Sequence, residues 1–432
     1  MKDKLVKGAR KALPKSAVNK LEEGYRKTRV RAASAYYGNP ATGLHVIAVT
    51  GTNGKTTTIN YLNEIFKAAG KTTAMFSTAN IEINGVKQLN KLNRTVALTG
   101  QLMKFLRQAK KARVDYVFLE VTSHALHQHK LDTIPVECAV MTNLTQDHLD
   151  YHGTMENYAA AKAKLFETLP PFIVLNRDDP WYTYFERYDA SESKMTYGTE
   201  ESADTRISHA KLYKKGSEVE LVFDTQTHVK LATALPGRYN VYNLAAAASV
   251  AYLYHLPIEA IMEGAANLDA IPGRYERPVE DKPYDIIVDY AHTPDALEKL
   301  LETVRDNTKN RVILVFGACG DRDKTKRPVM GKIAARLADR IFVTEEESYN
   351  EDPQAIRDMI LTGITNGGGE PKTKEIPDRF EAIKKALSVA RTGDSVVITG
   401  MGHEQYRIVQ GERIPWNDSA VVREILGVEE AK

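Results

Sequence analysis

Between residues 45 and 270, short apolar runs alternate with stretches whose apolar positions recur every three or four residues. Val46–Val49, Thr72–Phe76, Asp115–Glu120, Ala139–Met141 and Phe172–Leu175 read as strands. Asn60–Ala69, Leu102–Ala109 and Asn243–Tyr254 read as helices. An unbroken run such as Tyr116-Val117-Phe118-Leu119 suits a parallel strand buried on both faces. Residues 205–232 differ, because Leu212, Val219, Leu221, Phe223, Val229 and Leu231 fall on every second position of shorter segments and predict an antiparallel patch.

A second series starts after Ile271-Pro272-Gly273-Arg274. Its strands are expected at Asp285–Val288, Arg311–Phe316, Arg340–Thr344 and Ser395–Thr399, with helices over 295–305, 328–338, 353–364 and 379–391. The expected fold class is α/β. A central domain with a mostly parallel sheet spans 45–270, a C-terminal Rossmann-like α/β domain spans 271–432, and a short helical segment, 1–44, precedes both.

That first segment changes the charge picture. Residues 1–31 carry eleven Lys/Arg against three Asp/Glu, a net +8, while the whole chain is only +3. They read as a helix with Leu5, Val6, Ala9, Leu13, Ala17, Val18 and Leu21 on one face and a break or kink at Pro14. Its basic face suits plain solvation, an anionic substrate or lipid headgroups at a membrane surface. Nucleic acid fits less well, since interleaved aromatics are missing. Composition is otherwise that of an ordinary globular chain, 43% hydrophobic and 27% charged. Two cysteines, Cys138 and Cys319, exclude a disulfide framework and point to a reducing compartment, the cytoplasm. The longest apolar run, Leu244–Tyr254, is too short to span a bilayer.

Candidate chemistry gathers at predicted strand ends. After Val46–Val49 comes Gly51-Thr52-Asn53-Gly54-Lys55-Thr56-Thr57, then a helical pattern. Strand, glycine turn and helix aim backbone N–H groups at phosphate, with Lys55 as a point charge and Thr56 as a hydroxyl ligand for Mg²⁺. Position 49 is valine, so the turn is tighter than the usual G-x-x-x-x-G-K-[ST]. Glu120 ends the next buried strand, placed to bind Mg²⁺ or to stand as a plain surface carboxylate. His148 lies among Asp147, Asp150 and His152 and could ligate a second metal or orient a carboxylate. Asp289 follows the second series' first strand, where a ribose or base contact is expected; Thr293 and Pro294 alone could cap the helix that follows. Glycine loops recur at Gly317-Ala318-Cys319-Gly320 and Gly400-Met401-Gly402-His403-Glu404.

Together these stretches resemble the Mur ligase family. The resemblance rests on eight motifs in order: GTNGKTT at 51–57, EVTSHAL at 120–126, the run at 142–162, NVYN at 240–243, PGRYE at 272–276, DYAHTPDAL at 289–297, GDRDKTKRPVMG at 320–331 and GHE at 402–404. It implies an ATP-dependent ligase that phosphorylates a carboxylate and joins it to an amine, in the branch that adds a third residue, a diamine, to UDP-MurNAc-L-Ala-D-Glu. By position, the resemblance makes Thr56 and Glu120 ligands of a first Mg²⁺, and Glu120 with His148 ligands of a second. It makes Lys162 a carbamylated N6-carboxylysine. Asn240, Asn243, Arg274, Asp289 and His292 match nucleotide-contacting residues. Thr95, Thr122, Ser123, Gln128 and Lys130 match the muramoyl-dipeptide side, and Gly400 and Glu404 the seat of the incoming amino acid. On sequence alone, Lys162 reads as a surface lysine of an Ala-rich helix.

This sequence departs from the family pattern in three places. Only 44 residues precede the first strand, so the uridine-binding domain is reduced. The family's Asp-Asn-Pro-Arg signature for diaminopimelate is replaced by Glu346-Glu347-Ser348-Tyr349, which suits lysine, ornithine or another diamine and leaves a hydrogen-bonded meso-diaminopimelate open. Lys130 stands where an arginine is expected, keeping charge but losing the bidentate fork. Competing readings are a related amide ligase with another acceptor (a poly-amino acid, a folate polyglutamate, a pseudomurein peptide or a lipid-linked muropeptide) and a non-catalytic nucleotide-binding scaffold. A GTPase switch lacks its base-reading motif. The expected partners are a nucleotide-sugar dipeptide and a free amino acid, and the expected state is a monomer.

Overall fold

A computed structural model describes residues 15–90 and 99–428. Eleven strands form the larger sheet: β1 (His45–Thr50), β2 (Thr73–Phe76), β3 (Asn80–Ile83), β4 (Val86–Leu89), β5 (Tyr116–Glu120), β6 (Cys138–Met141), β7 (Phe172–Asn176), β8 (Ser193–Gly198), β9 (Thr205–Tyr213), β10 (Gly216–Phe223) and β11 (Thr227–Thr233). Their spatial order is β11-β10-β9-β8-β7-β6-β1-β5-β2-β3-β4. From β9 to β2 every neighbouring pair is parallel, and an antiparallel hairpin extends each end. The expected antiparallel patch is thus β9–β11, joined to the parallel strands through β8.

Both faces of this sheet are covered, which is why its central strands read as unbroken apolar runs. Along β1, Ile47 and Val49 face one core while Val46 and Ala48 face the other. Helices Lys55–Ala68, Arg238–Leu253 and Ile258–Asn267 cover the first face. Ala245, Ala246, Ala247 and Ala248 are fully buried there, so the alanine run is a close-packing surface. Helices Thr99–Lys111 and Met155–Ala163 cover the second face.

A smaller, all-parallel sheet follows: β12 (Asp285–Asp289), β13 (Val312–Phe316), β14 (Arg340–Val343), β15 (Thr373–Glu375) and β16 (Ser395–Thr399), in the order β12-β16-β13-β14-β15. A hairpin, β17 (Tyr406–Val409) and β18 (Glu412–Pro415), comes after it. The strands β3, β4, β8, β15, β17 and β18 were not anticipated. Most are only three or four residues long and too short to show a period.

The N-terminal helix runs Lys15–Tyr36, five residues beyond its expected end, and packs on helix Thr99–Lys111. Its buried positions are Val30 and Ser34. Leu21, assigned above to the apolar face, is 62% exposed. Leu5, Val6, Ala9, Leu13 and Pro14 lie outside the described residues, as does Thr95. Among the described residues no helix is long and apolar enough to cross a membrane.

Candidate active site

The loop after β1 is built for close approach. Gly51 (φ 147°) and Gly54 (φ 86°) both hold positive φ, and neither has room for a side chain. A Cβ at Gly51 would come within 1.8 Å of Thr142 Oγ1, and one at Gly54 within 2.2 Å of Asn243 Oδ1. The loop after β6 props it up. Thr52 N donates to Asn143 O at 2.8 Å and Asn53 N to Asn143 Oδ1 at 2.9 Å, while Thr142 Oγ1 donates to Asn53 O at 2.7 Å. Thr57, like Thr56, is buried in the first turn of helix Lys55–Ala68. Asn240 and Asn243, bonded to each other at 3.2 Å, back the turn from helix Arg238–Leu253.

Inside the turn, Lys55 Nζ donates to Gly51 O at 3.1 Å and Thr52 O at 2.7 Å. Burial pushes the Lys55 ammonium pKa down and nearby Arg274 adds to this, while Glu120 and Asp147 oppose it. Lys162 is not a surface lysine: it is 1% exposed, and its Nζ donates to the same Gly51 carbonyl at 2.7 Å. Its position 4.5 Å from the Tyr158 ring centroid completes the enclosure. Burial, then the charge of Lys55, holds its pKa well below the ordinary lysine value.

Glu120, 3% exposed, closes the other side. It accepts from Thr56 Oγ1 at 2.9 Å, from Thr78 N at 2.7 Å and from Thr78 Oγ1 at 2.8 Å. Two hard oxygen donors about 3 Å apart match neighbouring corners of a Mg²⁺ octahedron, whose bonds are ~2.1 Å. Among the described residues no three His, Cys, Asp or Glu side chains converge as metal ligands do, so a cation here relies on the Thr56 hydroxyl and on Glu120.

His148 (φ 55°) lies across Asp147, its Nε2 3.2 Å from Asp147 Oδ2. Burial lowers its pKa to about 3, which keeps the imidazole neutral and able to ligate. It adjoins an aromatic and imidazole cluster, with His124 at 4.7 Å between centroids and His124 in turn 4.2 Å from Tyr151. Ser123 Oγ lies 2.9 Å from His152 Nε2, and Thr122 caps the helix Ser123–His127. Gln128 and Lys130, both half-buried, follow that helix at the same end of the sheet.

The smaller sheet meets this site directly. Arg274 Nη2 donates to Thr56 Oγ1 at 3.2 Å, and its guanidinium lies 4.5 Å from the Tyr290 ring centroid. Asn53 Nδ2 donates to Asp295 at 2.8 Å, Gln146 Nε2 to Asp323 at 3.1 Å, and Lys326 Nζ to Asp147 at 3.3 Å. His292 stands 3.9 Å from Asp147 with its Nδ1 2.7 Å from Tyr290 O. Asp289 spends one oxygen on Tyr275 N (2.7 Å) and the other on Ala291 N (2.8 Å), shaping the loop. The cap of helix Pro294–Asn307 is Thr293, with Pro294 in its first turn. Gly400 and Glu404 lie in the loop after β16, beside Glu346 and Glu347.

Three residues passed over in the sequence belong to this assembly: Thr78, Tyr158 and Lys326. Thr78 sits two residues past a strand end, as ligand-side residues do in α/β sheets. Lys326 lies inside a quoted motif. Tyr158 gave no signal beyond its motif.

Residues 49–251 match the Mur ligase middle domain, and residues 273–402 the Mur ligase glutamate ligase domain. A protein of Geobacillus thermodenitrificans named UDP-N-acetylmuramoyl-L-alanyl-D-glutamate–2,6-diaminopimelate ligase is 41% identical over 399 residues, covering 90% of this chain and 80% of its own. A protein of the same name from Syntrophomonas wolfei is 38% identical over 399 residues, covering 91% and 80%. A solved structure of such a ligase superposes with a TM-score of 0.63 at 33% identity, covering 95% of this chain and 83% of its own. A Mycobacterium tuberculosis folylpolyglutamate synthase shares the fold, with a TM-score of 0.73 at 19% identity and coverage of 93% and 95%. The chain belongs to the Mur ligase family, whose members are ATP-dependent, Mg²⁺-using ligases.

Proposed function

We propose that the chain joins a free amino acid to the D-glutamate carboxylate of UDP-MurNAc-L-Ala-D-Glu with hydrolysis of ATP, as a step of peptidoglycan precursor synthesis in the cytoplasm. The similarity to ligases named for that dipeptide, over nine-tenths of the chain, carries the reading. A carboxylate is a poor electrophile, so its oxygen first accepts the γ-phosphoryl group and ADP leaves. The amine nitrogen then attacks the acyl carbon, phosphate departs, and the nitrogen loses a proton.

The turn Gly51-Thr52-Asn53-Gly54-Lys55-Thr56-Thr57 would cradle the phosphates, with Lys55 meeting the charge that shifts during transfer. Thr56 and Glu120 would hold one Mg²⁺, and Glu120, His148 and the carbamate of Lys162 a second; bound there, the cations neutralise phosphate charge. A buried lysine with a lowered pKa holds the free amine that carbamylation needs. Asn240, Asn243, Arg274, Asp289 and His292 would frame the nucleotide. Thr95, Thr122, Ser123, Gln128 and Lys130 would face the muramoyl dipeptide. Residues 45–270 would form the central domain and 271–432 the domain that brings the amino acid, with the basic residues 1–44 ahead of both.

A phosphate-release assay tests this. With ATP, Mg²⁺, UDP-MurNAc-L-Ala-D-Glu and a panel of amino acids, phosphate should appear only when all components are present. Silence with every diamine would sink the reading.

A further inference from the structure

Three carboxylates cluster at the loop after β16. Glu346 is 3% exposed, Glu347 8% and Glu404 6%. Burial together with their mutual repulsion raises the pKa of Glu404 to about 8. One oxygen of Glu346 accepts from Cys319 Sγ at 2.8 Å, and Glu347 accepts from Tyr349 Oη at 3.0 Å and Ile408 N at 3.1 Å. Two oxygens are left over: Oε2 of Glu346 and Oε2 of Glu404 are buried without a hydrogen-bond partner. Among the described residues none of the three carboxylates has a lysine or arginine within ion-pair distance.

Buried acceptors without donors are costly, so such a site is completed by what binds there. Gly400 keeps the space open, since a Cβ there would come within 2.2 Å of the free Glu346 oxygen. The guanidinium below is already committed: Arg379 makes a fully buried bidentate pair with Asp418, at 2.8 and 2.7 Å, and donates to Thr399 O. It is not free to grip a carboxylate. A metal ion does not fit, since among the described residues no three His, Cys, Asp or Glu side chains are spaced to hold one, whereas an ammonium takes longer hydrogen bonds.

We propose, resting on the ligase reading above, that Glu346, Glu347 and Glu404 seat a bare ammonium at the far end of the incoming amino acid, and that a distal carboxylate is refused. The far end is required because the α-amine must stay neutral to attack, which a three-carboxylate seat would prevent. The α-carboxylate has another partner in Arg322, half-buried and 5.0 Å from the Tyr349 ring centroid. The substrate class is therefore a diamino monocarboxylic acid of the lysine or ornithine kind. The relatives compared above are named for 2,6-diaminopimelate, which carries a carboxylate at that end.

The test is phosphate release by the full chain with ATP, Mg²⁺, UDP-MurNAc-L-Ala-D-Glu and, separately, L-lysine, L-ornithine, meso-diaminopimelate and L-norleucine. Lysine or ornithine should lead. Norleucine, which keeps the length and lacks the ammonium, should lose about 100-fold in kcat/KM, as expected for an unpaired buried charge. Diaminopimelate matching or exceeding lysine would overturn the proposal and leave the ligase reading standing. No stimulation by any amino acid would take both down. Glu346→Gln with Glu347→Gln should raise the lysine KM at least tenfold and leave the ATP KM unchanged; an unchanged lysine KM overturns the seat. Should that double variant not fold, Tyr349→Arg serves. A guanidinium beside Glu347 should shift the lysine-to-diaminopimelate preference toward diaminopimelate by about tenfold, and an unmoved preference counts against the proposal.

Discussion

Lys55 and Lys162 hold the same oxygen: the Gly51 carbonyl accepts from Lys55 Nζ at 3.1 Å and from Lys162 Nζ at 2.7 Å. Two ammonium groups facing one carbonyl in a buried turn repel each other, and Lys162 is the one whose pKa is pushed well down.

The two lysines therefore respond differently to mutation. Lys162→Ala should lower kcat by roughly 10²–10³-fold, the scale for loss of a placed electrostatic group, and added short-chain carboxylates should restore part of it. Full activity without rescue would remove the carbamate from the mechanism. Lys55→Ala should lose ATP turnover with no rescue by the same acids, measured as phosphate release.

Backbone geometry gives a second expectation. Gly54→Ala puts a methyl within 2.2 Å of Asn243 Oδ1 at φ 86°. ATP affinity, followed by calorimetry, should fall at least tenfold while thermal unfolding moves only slightly. Pairing it with Asn243→Ala removes the clash and not the positive φ, so recovery should be partial.

A third concerns the buried pair beneath the amino acid loop. Arg379→Leu strands Asp418 without its partner, both side chains being fully buried. Loss of about 3–5 kcal/mol is expected in chemical denaturation, the usual penalty for an uncompensated buried charge. A loss under 1 kcal/mol would mean that water reaches Asp418.

The fourth is a pH effect. Glu404 has its pKa raised to about 8 by burial and by Glu347. Its folded value lies above its unfolded one, so its stabilising contribution is present below the ordinary carboxylate range and is lost as pH rises through about 8. Cation binding runs the opposite way, because the carboxylate form wins above that pH. The KM for L-lysine should fall between pH 6.5 and 8.5, and Glu404→Gln should flatten the profile.

The phosphate-type turn was legible because glycine and lysine in a strand–helix turn have few other uses. Glu120 was legible for the same reason, standing at the end of an apolar run. Lys162 was not: its helix is Ala-rich and short, and its burial comes from the Gly51 loop folding over it, a contact 111 residues away in the chain. Glu345, Glu346 and Glu347 stand as one acidic run in the sequence, with nothing to tell them apart. In the fold they part company, with Glu345 paired to Arg357 at 3.1 Å and the next two turned inward. Leu21 erred the other way, because a helical period marks a face without saying whether anything covers it.

Arg274 lies next to Gly273, in the short crossing from the larger sheet to the smaller one. With its guanidinium fastened to the Thr56 hydroxyl at 3.2 Å, that crossing is no slack tether. Any swing of the smaller sheet must first let go of a side chain in the phosphate-type turn. What occupies the turn and how far the two halves stand apart are thereby made into one variable.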